Sequence, residues 1–238
     1  MQQMAFQLLR EKGRFNFKDL FSICLGKVFS NKIELDEYIG HYGRWDTDVT
    51  KGELLCDNKR FNVEYIGTSS KQDGMWFSAE LEKQIPDEYL SILLKTRNLM
   101  KSLNLTNLAE SKIPLNNVIT DEKLAIIYTA FSTNEKISYY VGNSGDIKIF
   151  MFVKDFDGEN VISTLTQPIG SHKFIPRVQQ MLASYDVDHK LFIKSFLIHN
   201  RCRYQEIPNK IIGTFGDKSI SFEFDNDGYL TSMSGVLN

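Results

Sequence analysis

Phe61-Asn62-Val63-Glu64-Tyr65-Ile66-Gly67, then the turn Lys71-Gln72-Asp73-Gly74, then Met75 to Leu81, is the stretch that decides the fold. The first run alternates apolar and polar residues, as a half-buried strand should. Asp73-Gly74 tolerates the positive φ of a tight hairpin loop. Met75 to Leu81 is therefore predicted to return antiparallel to the first run, since a parallel pair would need a crossover far longer than one turn. Glu53-Leu54-Leu55-Cys56, closed by the turn Asp57-Asn58, adds a strand ahead of them. Three strands on short turns make an antiparallel meander. The expected class is α+β, with antiparallel meander sheets packed on helices.

Working outward, Met4, Phe6, Leu8 and Leu9 place a short helix within residues 1–12. Phe17, Leu20, Phe21, Cys24, Leu25 and Val28 keep the spacing of one helical face, continued by Leu35, Tyr38, Ile39 and Tyr42. This predicts a helix from about Asn16 to Tyr42, with Ser30-Asn31 as the point where it could break. Pro86 opens a helix reaching Leu103, and Thr120-Asp121-Glu122-Lys123 is an N-cap with early acidic residues. Ile137 to Val141 and Ile147 to Val153 form a hairpin.

Residues 154–173 hold Asp157-Gly158, Pro168 and Gly170 with few large apolar side chains, and read as a linker, although Val161 to Leu165 has strand character. Beyond it, residues 174–182 and 186–199 look helical. Residues 210–215, 219–224 and 229–236 look like strands, separated by Gly216-Asp217 and Asp225-Asn226-Asp227-Gly228. The chain divides on this reading into an N-terminal α+β unit (1–153), a linker (154–173), and a C-terminal helix plus three-stranded antiparallel unit (174–238). The order, helix then three strands, occurs twice.

Lys+Arg is 28 and Asp+Glu is 30, so the net charge of −2 gives no bulk attraction to nucleic acid or to an anionic membrane. No stretch approaches the ~20 apolar residues of a membrane span. Cys24, Cys56 and Cys202 are odd in number and lack a C-x-x-C, which argues against a disulfide framework or a structural zinc site and for a reducing cytoplasm. His41, His172, His189 and His199 form no metal-ligand spacing. No P-loop, G-x-S-x-G or Rossmann glycine pattern occurs. No catalytic residue, metal or cofactor is assigned. Frequent Lys, Asn and Ile point to an AT-rich bacterial or phage genome.

Several residues stand out. Trp45 and Trp76 are the only tryptophans, and Asp48 follows the first. They read either as an aromatic-walled pocket with one anion or as core side chains with a satisfied indole N–H. Gly67-Thr68-Ser69-Ser70 offers backbone amides, but a strand follows it where a phosphate loop leads into a helix. Residues 171–214 are mildly basic, with Arg201 and Arg203 near Tyr204; a solvated face and a phosphate contact are both open.

Taken in order, Trp45…Asp48, Gly67-Thr68-Ser69, Trp76, Asp188-His189 and Phe224-Asp225…Gly228…Leu230 resemble an uncharacterised bacterial family of unknown function. Its members carry W-x-x-D, G-T-x-S, W-x-W, D-H and F-D-x-x-G-x-L elements. Here Ser78 stands where that pattern has a second tryptophan. The resemblance implies no activity.

The reading that follows is a non-enzymatic binding or interaction protein whose partner is another protein or a small nucleotide-like anion. An unrecognised enzyme is the alternative. A ligand site built from Trp45, Asp48, Trp76, Arg201 and Arg203 is expected at the junction of the two units, where pockets commonly form.

Overall fold

The computed structural model describes residues 7–9, 11–40, 44–132, 137–156, 171–215 and 218–235. The class is α+β with two antiparallel sheets, one of seven strands and one of four. The chain forms two compact units, residues 31–166 and residues 1–30 together with 167–238. The described residues up to Ser30 thus group with the C-terminal segment. Of the expected linker, residues 157–170 lie outside the described residues. Its two ends belong to a strand (Ile147–Phe156) and a helix (Ser171–Ser184).

Helix α1 (Phe17–Ile39) spans the division between the units without a break. Its start is a reciprocal capping pair. Asn16 Oδ1 accepts from the Asp19 amide at 2.9 Å, and Asp19 Oδ2 accepts from the Asn16 amide at 3.0 Å. Ser30 and Asn31, the expected weak point, are buried, and the Asn31 side chain donates to the Ile137 carbonyl at 3.3 Å. That tertiary bond offsets the poor helix propensity of asparagine.

In the 31–166 unit the strands are β1 (Trp45–Asp48), β2 (Glu53–Cys56), β3 (Lys59–Ser70), β4 (Met75–Ser78), β5 (Lys112–Pro114), β6 (Ser138–Ser144) and β7 (Ile147–Phe156). β3 is the spine. One edge pairs with β7 from Phe61 to Ser70; the other pairs with β2 at its start and β4 at its end. Register shifts at Asn62/Val63 and Tyr65/Gly67 bend it, and Val63 to Gly67 are buried without alternation. Helices α2 (Ser91–Ser102) and α3 (Asp121–Phe131) pack on β3. Glu64, buried in β3, accepts from the Ile92 amide at 2.7 Å and so caps the α2 N-terminus from outside the helix, with Lys154 at 3.2 Å balancing its charge. Thr120 caps α3 as its sequence predicts, accepting from the Lys123 amide. The seven strands exceed the five read from sequence because β1 and β5 add edges to the sheet, which the β6–β7 hairpin joins through β7 and β3.

Trp76 is fully buried in this unit. Its ring lies 4.9 Å from Phe150 and 6.0 Å from Tyr128, and a Cβ on Gly67 would come within 2.7 Å of it. Gly67 is therefore what lets the indole lie flat on β3.

The other unit contains the first half of α1, helices α4 (Ser171–Ser184) and α5 (His189–His199), and strands β8 (Arg203–Ile207), β9 (Lys210–Phe215), β10 (Lys218–Phe224) and β11 (Leu230–Gly235) in a simple meander. Phe174 is its hub, 4.6 Å from Phe196 and 6.0 Å from Phe222 by ring centroids. A Cβ on Gly26 would lie 2.7 Å from the Phe192 carbonyl oxygen, so α1 and α5 touch backbone to backbone, and Ser195 Oγ donates to the Ile23 carbonyl at 2.6 Å. Helix α5 ends in a left-handed cap. Arg201 has φ of 58°, its amide donates to Ile198, and the Cys202 amide reaches back to Leu197 at 2.9 Å.

Two outcomes follow for stability. Trp76→Ala is expected to cost about 3–5 kcal/mol, read as a lower midpoint in urea unfolding; a cost below about 1 kcal/mol would mean that the ring is not core. Arg201→Gly relieves the left-handed strain and is expected to raise stability by about 1 kcal/mol in the same assay, with a loss of stability as the contrary result.

Candidate functional site

The residues singled out from sequence have definite places. Trp45 opens β1, half-buried, tilted against Tyr140 at 6.2 Å and pressed on Gly142, where a Cβ would lie 2.4 Å from its ring. Asp48 ends the same strand. Side chains alternate along a strand, so residues three apart face opposite ways. Asp48 accepts from the Thr50 hydroxyl at 2.7 Å and pairs with Lys51 at 2.9 Å; bonds from Thr50 and Lys51 hold its carboxyl down at about 2. It shapes the β1–β2 turn. Trp76 sits in the core, and its indole N–H finds no partner among the described residues. Ser78, two residues on and so on the same face, is also buried. Trp45 and Asp48 thus face opposite ways along β1, and Trp76 lies fully buried in the core.

Gly67 to Ser70 run within β3, where their residues are paired on both edges with β4 and β7. Ser69 is buried, its hydroxyl donating to Asp121 Oδ2 at 2.7 Å, and Lys148 reaches the same oxygen at 2.9 Å. Burial works to raise the Asp121 carboxyl, but Lys148 and Ser69 outweigh it and hold the group below its ordinary value. With its proton directed at a carboxylate and no solvent access, Ser69 fastens β3 to the start of α3.

Arg201 and Arg203 are exposed at the C-terminal end of α5, Arg201 in the left-handed cap and Arg203 at the start of β8. They belong to one unit, and Trp45, Asp48 and Trp76 to the other. Cys202 between the arginines is a free thiol that burial pushes up to about 12; Cys24, fully buried, is raised to about the same value.

The opposite end of α5 carries a cleft that the sequence did not single out. A groove of about 560 Å³ lies among Lys12, Lys18, Asp188, His189, Lys190 and Tyr229. It is built from the capping devices of two helices. Lys12 Nζ donates to Asp19 at 2.6 Å and to Asp188 at 3.3 Å, tying the α1 cap to the α5 cap. Burial works to lower the Lys12 pKa; the bonds to Asp19 and Asp188 raise it beyond that. Asp188 is the N-cap of α5, accepting from the Leu191 amide at 3.0 Å, while its own amide donates to Ser22 Oγ at 2.8 Å. Lys18 pairs with Asp186 at 2.5 Å. Lys190 makes no ion pair among the described residues; its ammonium lies over the Phe224 ring at 5.3 Å.

His189 stands in the groove wall. Its Nδ1 accepts from the Leu230 amide at 3.0 Å, and its ring meets Tyr229 edge-on at 5.2 Å. Burial, and next to it the charge of Lys18, lower its pKa below the ordinary histidine value. The turn below it is fixed by Asp225, whose Oδ1 accepts from the amides of Asp227 at 3.0 Å and Tyr229 at 2.8 Å, with Gly228 at φ 87°. The D-H and F-D-x-x-G-x-L elements, forty residues apart, therefore meet at one hydrogen bond. Their shared place in the family-like pattern was the only trace of that contact in the sequence. Among the described residues no group of three or more His, Cys, Asp or Glu side chains is placed to hold a metal ion, and no helix is long and apolar enough to cross a membrane.

No curated protein and no solved structure matches the chain. Residues 18–156 match the model of a family of unknown function, DUF6882, which takes in the Trp45, Gly67 and Trp76 elements and stops short of Asp188-His189 and Phe224-Asp225. That match covers more than half of the chain, and the protein belongs to this family of unknown function.

Proposed function

We propose that this protein is a non-catalytic binding module of a reducing bacterial or phage cytoplasm, and that the groove at the start of α5 receives a small nucleotide-like anion or an anionic group of a protein partner. The observation that carries the reading is the groove itself. Its volume falls in the range of small-molecule sites, with an aromatic wall of His189 and Tyr229 beside a cation, Lys190, that has no acidic partner among the described residues. A planar base or ring could lie along the aromatic wall while a phosphate or carboxylate takes Lys190. The three free cysteines support the reducing compartment.

Binding is favoured over catalysis by how the titratable groups are committed. Asp19 and Asp188 are bound into helix caps, Lys12 joins them, and His189 Nδ1 is taken by a backbone amide. A general acid or base needs a free site within reach of the substrate proton. An enzyme using this groove would draw on His189 Nε2 and Lys190.

Isothermal titration of the whole chain with ADP and with inorganic pyrophosphate is the test. Saturable heat is expected, weakened roughly tenfold or more by Lys190→Ala, the usual range for losing one charged hydrogen bond. Arg201→Ala/Arg203→Ala is expected to leave the affinity unchanged, those residues following the far end of α5, a helix about 15 Å long. No saturable heat with either probe, or loss of binding in the arginine pair and not in Lys190→Ala, overturns the groove as the site.

A further inference from the structure

We propose that His189 is a pH-sensitive latch that fastens the Asp225–Leu230 turn, one wall of the groove, to the start of α5, and that protonation of its ring releases the turn. The inference concerns that wall only and holds whether or not the groove takes an anion.

The geometry leaves the ring one role. Leu230 donates its backbone N–H to Nδ1 at 3.0 Å, so Nδ1 must present a lone pair. The neutral imidazole then carries its single proton on Nε2. A proton added to the ring can go only to Nδ1, the atom already accepting from Leu230. The imidazolium has two N–H donors and no acceptor, so donor would face donor, and the bond cannot survive. The proton and the Leu230 amide compete for one lone pair.

What is released is also defined. Asp225 Oδ1 holds the Asp227 and Tyr229 amides, and the Asp225 amide donates to the Tyr229 carbonyl at 2.9 Å, so the turn keeps its own shape. Its ties to α5 are the Leu230–His189 bond and the edge-on Tyr229 ring. The β10–β11 ladder has a register shift at Glu223/Phe224, opposite Leu230, so pairing is already irregular where the latch attaches. Asn226, Asp227, Gly228 and Tyr229 all line the groove, and unlatching them changes its wall.

Charged groups surround the ring on the neighbouring elements. Lys18 of α1, Asp186 and Asp188 before α5, and Asp225 of the turn act on it directly; Glu11 and Lys12 before α1, Asp19 of α1, Lys190 and Lys194 of α5, and Asp227 of the turn line the same groove. Burial and Lys18 resist protonation, against a smaller opposing pull from Asp188, Asp186 and Asp225. The latch is therefore closed at neutral pH. A depressed histidine pKa means that the open or unfolded form binds more protons, so the latch contributes stability above the ordinary histidine value of about 6.5 and loses it as pH falls below that.

Amide exchange on the full chain, read by NMR at about pH 7.5 and about pH 5, tests the latch across the histidine range. The protection factor of the Leu230 amide is expected to fall roughly tenfold at the lower pH in the wild type, in step with titration of the His189 ring. His189→Asn places a non-titrating carbonyl oxygen where Nδ1 accepts, and is expected to hold Leu230 protected at both pH values. His189→Ala is expected to leave it unprotected at both. Equal Leu230 protection at the two pH values in the wild type, or a wild-type fall retained in His189→Asn, overturns the proposal.

Discussion

Most of the 31–166 unit depends on one constraint: the twelve-residue strand β3 pairs along one edge with β7 and at the two ends of the other with β2 and β4, and its middle, Val63 to Gly67, is buried on both faces. A buried strand must satisfy every peptide group through its neighbours. β3 gives one edge from Phe61 to Ser70 to β7 and divides the ends of the other between β2 and β4, and between these two the Val63 amide donates to the Gly52 carbonyl at 2.7 Å. The bends at its two register shifts make that division feasible. They also remove the alternation of side chains, and a carboxylate, Glu64, ends up in the interior. It is tolerated there because a helix N-terminus and Lys154 meet it. Gly67 is the second consequence. A strand crowded on both sides leaves room for one large ring only where a side chain is missing, and Trp76 fills that gap.

Much of this is legible in the sequence. Asp73-Gly74, Thr120 and the Phe17–Ile39 spacing each specify local structure by chemistry confined to a few residues. The strands that went unread are β1, β5 and β8, and all three are sheet edges. An edge strand buries little, so its sequence need not alternate. Trp45-Asp46-Thr47-Asp48, Lys112-Ile113-Pro114 and Arg203-Tyr204-Gln205-Glu206-Ile207 carry charge or proline, as edges that avoid further pairing do.

The groove was illegible for a different reason. Asp188 reads as a helix start from sequence, and it is one. What cannot be read is that Lys12 bridges this cap to the Asn16–Asp19 cap across more than 150 residues. Nor can a histidine's acceptor be read when its donor is a backbone amide, because every residue but proline has one. Trp45 and Trp76 are distinguished in the sequence by rarity and size, which are properties of cores as much as of sites. The groove is made of common residue types whose placement carries the information.

The three cysteines have a practical consequence. Thiol reagents attack the thiolate, and burial has moved Cys24 and Cys202 to about 12 and raised Cys56 above its ordinary value. At neutral pH the folded chain presents almost no thiolate. Maleimide dyes and spin labels should pass it by while it stays folded, so a single cysteine introduced at an exposed position such as Asn226 could be labelled against the native background. The same contrast makes the buried Cys24 and Cys56 a clock for unfolding, since each becomes reactive only when its surroundings open.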